Sequence, residues 1–86
     1  MNATELMDKF RSEGIDRYFG LSRDAPPIEG FVLENIGGKW WVHFFERGEY
    51  TPVARFEDEY DACGFVYWKL HDDLSMVGPS APEKPS

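Results

Sequence analysis

Two histidines, His43 and His71, one cysteine, Cys63, and the adjacent pair Asp72-Asp73 are the side chains here best suited to act as nucleophile, base or metal ligand. Catalysis needs such groups to converge in a cleft. His71 with Asp72 and Asp73 has the chemistry of a metal site, but a histidine near a helix end beside solvent more often complements the helix dipole. A Cys63–His43 nucleophile pair requires both residues on one face of a sheet, and the strand and helix phases given below separate them. Cys63 reads instead as a small buried hydrophobe. Glu46 and Glu49 flank Arg47 in a solvated hairpin. Gly37-Gly38 precedes a strand, so it is not a phosphate-cradling loop, which opens a helix. No catalytic set, metal site or cofactor is expected.

The elements that must position these groups centre on residues 37–50, GGKWWVHFFERGEY. Trp, Val, Phe and Tyr suit a pleated, half-buried surface, and the glycines at either end supply the positive φ of tight hairpins. Residues 39–46 are the expected central strand of an antiparallel meander, between strands at 30–35 and 50–56. Trp40, Val42 and Phe44 point to one face as a core row. Trp41, His43 and Phe45 point to the other, where a wet face would carry polar residues. That second face must be covered, by the chain's own N-terminal helix as a small second core or by a partner.

At 86 residues the chain holds one domain, expected at 1–77 with a disordered Pro/Ser-rich tail at 78–86. Its aromatic content of 16% suits a packed globule. There is no apolar run of the roughly 20 residues a membrane span requires. The first residues lack a basic flank and apolar segment, which makes cytoplasm the expected compartment. Nine basic against sixteen acidic side chains give a net charge of −7. Direct binding to nucleic acid or anionic membrane is disfavoured; such a charge either attracts a cationic partner or serves only solubility, as in many small acidic domains.

Residues 3–12 pattern as a short amphipathic helix with Ala3, Leu6, Met7 and Phe10 on one stripe, Asn2 or Thr4 as cap and Gly14 as stop. Residues 15–21 form a collapsed connector closing one edge of the core, and Asp24-Ala25-Pro26-Pro27 a loop. Pro52 cannot donate to a ladder, which puts the third strand on an edge. Phe56 ends that strand pointing inward and Arg55 outward. Glu57, Asp58 and Glu59 occupy the expected first turn of a second helix, where the macrodipole favours acids, and Asp58 or Glu57 can cap it. Its stripe of Ala62, Cys63, Val66, Tyr67, Leu70 and Leu74 faces the core. Gly64 costs about 1 kcal/mol inside a helix, and close approach to the sheet edge or an aromatic is its expected reason. Trp68 lies opposite the stripe, flanked by Asp61, Phe65 and Asp72. It either packs on the connector or serves a partner.

Four segments in order, Gly14-Ile15-Asp16, Gly37-Gly38-Lys39-Trp40, Phe45-Glu46-Arg47-Gly48 and Phe56 to Cys63 (FEDEYDAC), give a pattern over residues 14–74. It resembles the small bacterial immunity proteins encoded beside polymorphic and contact-dependent growth inhibition toxins. There the central run has the form GGKW-V-Y-SERG, and the last helix opens with an acidic segment ending in E-x-A-C. These motifs are turn glycines, a strand Trp and a helix cap, so they specify fold more than partner. The chain departs from the pattern at Trp41, His43 and Phe45, where more polar residues are expected, and in a more acidic cap.

The expected architecture is α+β, a three-stranded antiparallel meander with an N-terminal and a C-terminal helix (α-β-β-β-α), the last helix on the Trp40/Val42/Phe44 face. The resemblance implies a non-enzymatic immunity protein that neutralises the C-terminal domain of a cognate toxin, often a basic nuclease. The expected partner-binding residues are Glu34, Trp41, His43, Phe45, Glu46, Asp61, Trp68 and Asp72. The alternative is an acidic adaptor module unrelated to toxins.

Overall fold

A computed structural model describes residues 1–21 and 27–76. Helix α1 (Ala3–Glu13) leads into a 3-10 turn (Asp16–Tyr18) and strand β1 (Phe19–Gly20). Strands β2 (Gly30–Ile36), β3 (Lys39–Glu46) and β4 (Glu49–Phe56) follow, and helix α2 (Glu59–Met76) ends the described chain. The expected loop at Asp24–Pro27 lies, up to Pro26, outside the described residues, as does the expected tail from Gly78.

The sheet has four strands in the order β1-β2-β3-β4, not three. β2, β3 and β4 form the expected antiparallel meander. The added strand comes from the connector and pairs parallel to β2, Phe19 opposite Phe31 and Gly20 opposite Val32. Gly30 makes that pairing possible. A Cβ there would sit 2.0 Å from the Tyr18 carbonyl oxygen, so any larger residue would push the lead-in to β1 away. The β3–β4 hairpin turns through Arg47 and Gly48, both at positive φ (55° and 81°), the signature of a two-residue type I′ turn.

β4 is an edge strand, as Pro52 requires, and carries a bulge. Ala54 faces Val42 and Pro52 faces His43, which leaves Val53 as the extra residue. The bulge changes the side-chain phase along β4. Ala54 and Phe56 pack towards the core, while Tyr50, opposite Phe45, joins the other face.

Both helices cover the same face of the sheet. Leu6 and Phe10 of α1, Phe19 of β1, Phe31 and Leu33 of β2, Val42 of β3 and Ala62, Cys63, Val66 and Leu70 of α2 form one buried cluster. Each fully buried Leu, Val or Phe contributes about 1.5–3 kcal/mol of burial free energy. The two apolar stripes expected from helical periodicity are therefore the packed ones. The N-terminal helix lies within this core and does not cover Trp41, His43 and Phe45, so the second small core beneath it does not form.

Asn2 caps α1 in a full capping box with Glu5, and Gly14 ends the helix in the left-handed conformation. α2 begins at Glu59. Asp58 precedes it as the cap, its Oδ1 accepting from the Tyr60 backbone at 3.1 Å. Glu59 reaches across to α1, its Oε2 accepting from the Ala3 backbone at 2.7 Å, so one carboxylate ties the two helix starts together. No helix among the described residues is long and apolar enough to cross a membrane.

Candidate protein-binding surfaces

The second face of the sheet is built by alternation on β2 and β3 and by the bulge on β4. Glu34 lies opposite Trp41, Val32 opposite His43 and Tyr50 opposite Phe45. The side chains interlock. Trp41 stacks on His43 with centroids 5.8 Å apart, Tyr50 meets His43 edge-on at 6.3 Å, and Phe45 leans on Tyr50 at 4.6 Å. The Arg55 guanidinium sits over the Trp41 ring at 5.7 Å, a contact worth about 0.5–1 kcal/mol at an exposed site. Val32 and His43 are buried. His43 Nδ1 is 3.7 Å from Glu34 Oε1, and the Glu34 side chain is only 15% exposed. This face is an aromatic ladder engaged with itself, with Trp41, Phe45 and Tyr50 half-buried.

The outer face of α2 is different. Helical spacing puts Asp61, Gly64, Phe65, Trp68 and Asp72 on one stripe, at i, i+3, i+4, i+7 and i+11. Trp68 is 58% exposed, and its ring neighbours are Phe65 at 6.3 Å and the Lys69 ammonium at 6.0 Å. Tyr60 is exposed at the start of the same helix. Gly64 is also exposed, and a Cβ added there would meet nothing within 4 Å. The expected close approach of Gly64 to the sheet or an aromatic does not occur, so no packing among the described residues accounts for a glycine here.

From Glu57 to Met76 there are six carboxylates and one lysine. Glu57 is held by Lys39, whose hydrogen bond and charge keep its carboxyl below the usual range. Lys69 takes Asp73 at 3.3 Å. Asp61 and Asp72 take no part in these ion pairs.

The expected binding residues thus fall into separate groups. Glu34, Trp41, His43 and Phe45 share the sheet face, and Glu46 stands exposed at the hairpin end of β3. Asp61, Trp68 and Asp72 share the outer face of α2, on the far side of the core. Because α2 lies between that face and the sheet, a single flat contact cannot bury both groups. Trp68 stands 58% exposed beside Phe65 and Lys69, while Phe19 of the connector is turned inward against Phe10 at 5.2 Å.

The residues considered for chemistry are likewise apart. Cys63 is buried in the core, and burial, reinforced by Glu59, pushes its thiol up to about 11. His43 is on the opposite face of the sheet. His71 is not a bystander at a helix end. Its Nε2 lies 2.7 Å from Glu13 Oε1 and its Nδ1 2.8 Å from the Tyr67 carbonyl oxygen, so it joins α2 to α1. Among the described residues no group of three or more His, Cys, Asp or Glu is placed to hold a metal ion.

No protein-family model matches the chain, and no curated protein or solved structure shows detectable similarity to it.

Proposed function

We propose that this chain is a cytoplasmic, non-enzymatic immunity protein that binds and neutralises a cognate toxin domain with a cationic surface, such as a basic nuclease. The observation that carries the reading is Trp68, exposed on the outer face of α2 between Asp61 and Asp72. A half-exposed Trp is costly to leave in water, and Trp is among the residues most enriched at the energetic centres of protein interfaces. Carboxylates around it select a positively charged partner and speed its arrival. The net charge of −7 supports the same choice of partner, and so does the resemblance carried by the segments at 37–40, 45–48 and 56–63. On this reading the acidic helix occupies the toxin surface that would otherwise hold a phosphate backbone. The sheet face contributes less, because Trp41 and Phe45 already spend much of their area on His43, Arg55 and Tyr50.

The test is binding kinetics against the domain encoded by the neighbouring toxin reading frame, at two ionic strengths. Association should slow markedly with added salt for the wild type, and less for Asp61→Asn/Asp72→Asn. Trp68→Ala should act mainly on dissociation and cost about 2 kcal/mol or more. Salt-indifferent association, together with full protection by the Trp68→Ala protein, would refute the mechanism. A cationic partner that is not a toxin, with the same kinetic signature, would favour the adaptor alternative.

A further inference from the structure

Between the C-terminal half of α2 and the start of β2 lies a half-open cleft of about 430 Å³, within the range of small-molecule and side-chain binding sites. Its walls are mainly apolar: Phe31 and Phe44 meet edge to face at 5.3 Å on the sheet side, and Leu70 and Leu74 lie on the helix side. Tyr18 completes the lining, with the Arg17 guanidinium over its ring at 5.5 Å. Phe44 and Leu74 are only half-buried, so apolar surface is left in contact with water. Two carboxylates, Glu29 and Asp73, line the same cleft. Lys69 meets Asp73 through Oδ1 at 3.3 Å, and a carboxylate has acceptor sites for a second donor.

Apolar walls with a carboxylate rim match one kind of occupant, a methylene stem ending in a cation. An anion would be repelled by both acids, and a neutral apolar group would leave them without gain. Lysine and arginine side chains have this construction, burying the stem while keeping the head at a polar edge.

We infer that this cleft takes a lysine or arginine side chain of a partner protein, its stem between Phe31, Phe44, Leu70 and Leu74 and its head at Glu29 and Asp73. The inference rests on the reading of the partner as a cationic protein, and it adds a specific pocket to a surface otherwise defined by Trp68. Asp72 and Asp73 are neighbours in sequence, so a partner seated on the outer face of α2 reaches the cleft mouth without a long extension.

The slot chemistry is tested on the full-length ¹⁵N-labelled chain by NMR titration with n-butylguanidinium, and with n-butanol and butyrate as neutral and anionic controls at matched ionic strength. The amides of Phe31, Phe44, Leu70 and Asp73 should shift and saturate with the cation. Binding should be at least fivefold weaker for butanol and undetectable for butyrate. Glu29→Gln/Asp73→Asn, checked for an unchanged melting curve, should lose at least fivefold in affinity for the cation. Equal binding of butanol, or no shift at these amides, would overturn the inference. The source of the side chain is tested with the toxin domain itself. Cleft amides should shift together with the Trp68 indole. If the indole shifts and the cleft does not, the proposed function stands and the cleft assignment fails.

Discussion

Tyr67 on α2 donates its hydroxyl to Glu13 Oε2 on α1 at 2.9 Å, joining residues 54 positions apart. His71 approaches the other oxygen of the same carboxylate, and Phe10 stacks on the Tyr67 ring beneath the pair with centroids 5.8 Å apart. α1 is a helix of 11 residues, too short to hold in isolation. Its docking therefore depends on the Leu6/Phe10 burial and on this polar clasp.

The clasp makes stability depend on pH. Partial removal from water acts to raise the pKa of Glu13, but the hydrogen bonds from Tyr67 and His71 and the charges of His71 and Lys9 outweigh it, leaving the group below its ordinary 4.5. The carboxylate is then favoured in the folded state. Its contribution is present above pH about 4.5 and lost as pH falls through the lower folded value. Tyr67 shifts upward, chiefly because its hydroxyl is held by Glu13, and its contribution is lost only as pH rises beyond the tyrosine range. The wild type should melt above Glu13→Gln at neutral pH, with the gap closing as the pH falls below 4.5. A gap that stays constant down to pH 3 would contradict the assignment.

Cys63 should be inert in the folded protein. It is fully buried and its thiol is pushed to about 11, so almost no thiolate exists at pH 8. A colorimetric disulfide reagent should react only as the chain unfolds, and completely in guanidinium. Rapid reaction of the native protein would mean that α2 does not stay seated on the sheet.

How far the sequence discloses this molecule depends on the range of the interaction. The meander is legible because turn glycines and β-rich runs are local signals, and the buried stripes of both helices follow from a 3.6-residue period. β1 is not legible. Two residues carry no alternation, and its pairing needs the Tyr18 carbonyl to lie against a glycine 12 residues away. The bulge at Val53 is equally silent, yet it decides that Tyr50 joins Phe45 while Phe56 joins the core. The candidate surface was half visible. Trp68 and its acids could be placed on one helix face by phase alone, but no periodicity relates that face to the one holding Trp41, so the sequence joined residues that the fold separates.

The tryptophans should differ sharply in their structural worth. Trp40 is half-buried, packs against the main core and lies opposite Phe56. Trp40→Ala should cost about 2–4 kcal/mol, somewhat below the value for a fully buried aromatic. Trp68→Ala removes a ring that is 58% exposed and should cost less than about 1 kcal/mol. Chemical denaturation of the two variants measures this directly, and equal losses would mean that the phase of α2 is misassigned.

Two glycines give the last prediction, with opposite signs. At Gly30 a Cβ would collide with the Tyr18 backbone, the carbonyl oxygen 2.0 Å away. Gly30→Ala should therefore destabilise by about 1–3 kcal/mol as β1 is forced off β2. At Gly64 the added methyl meets nothing, and the residue is exposed inside a helix. Gly64→Ala should stabilise by about 0.5–1 kcal/mol, because alanine loses less backbone entropy on helix formation and no contact is strained. Stability alone would thus favour alanine at position 64. Gly64 lies one turn from Trp68, and a bare backbone there lets a partner come closer to the helix than any side chain would permit. Gly64→Ala should therefore raise the urea midpoint and weaken binding of the toxin domain in the same protein. A rise in stability with unchanged affinity would show that the outer face of α2 is not where the partner sits. A loss of stability would show that the glycine answers a demand of the fold itself.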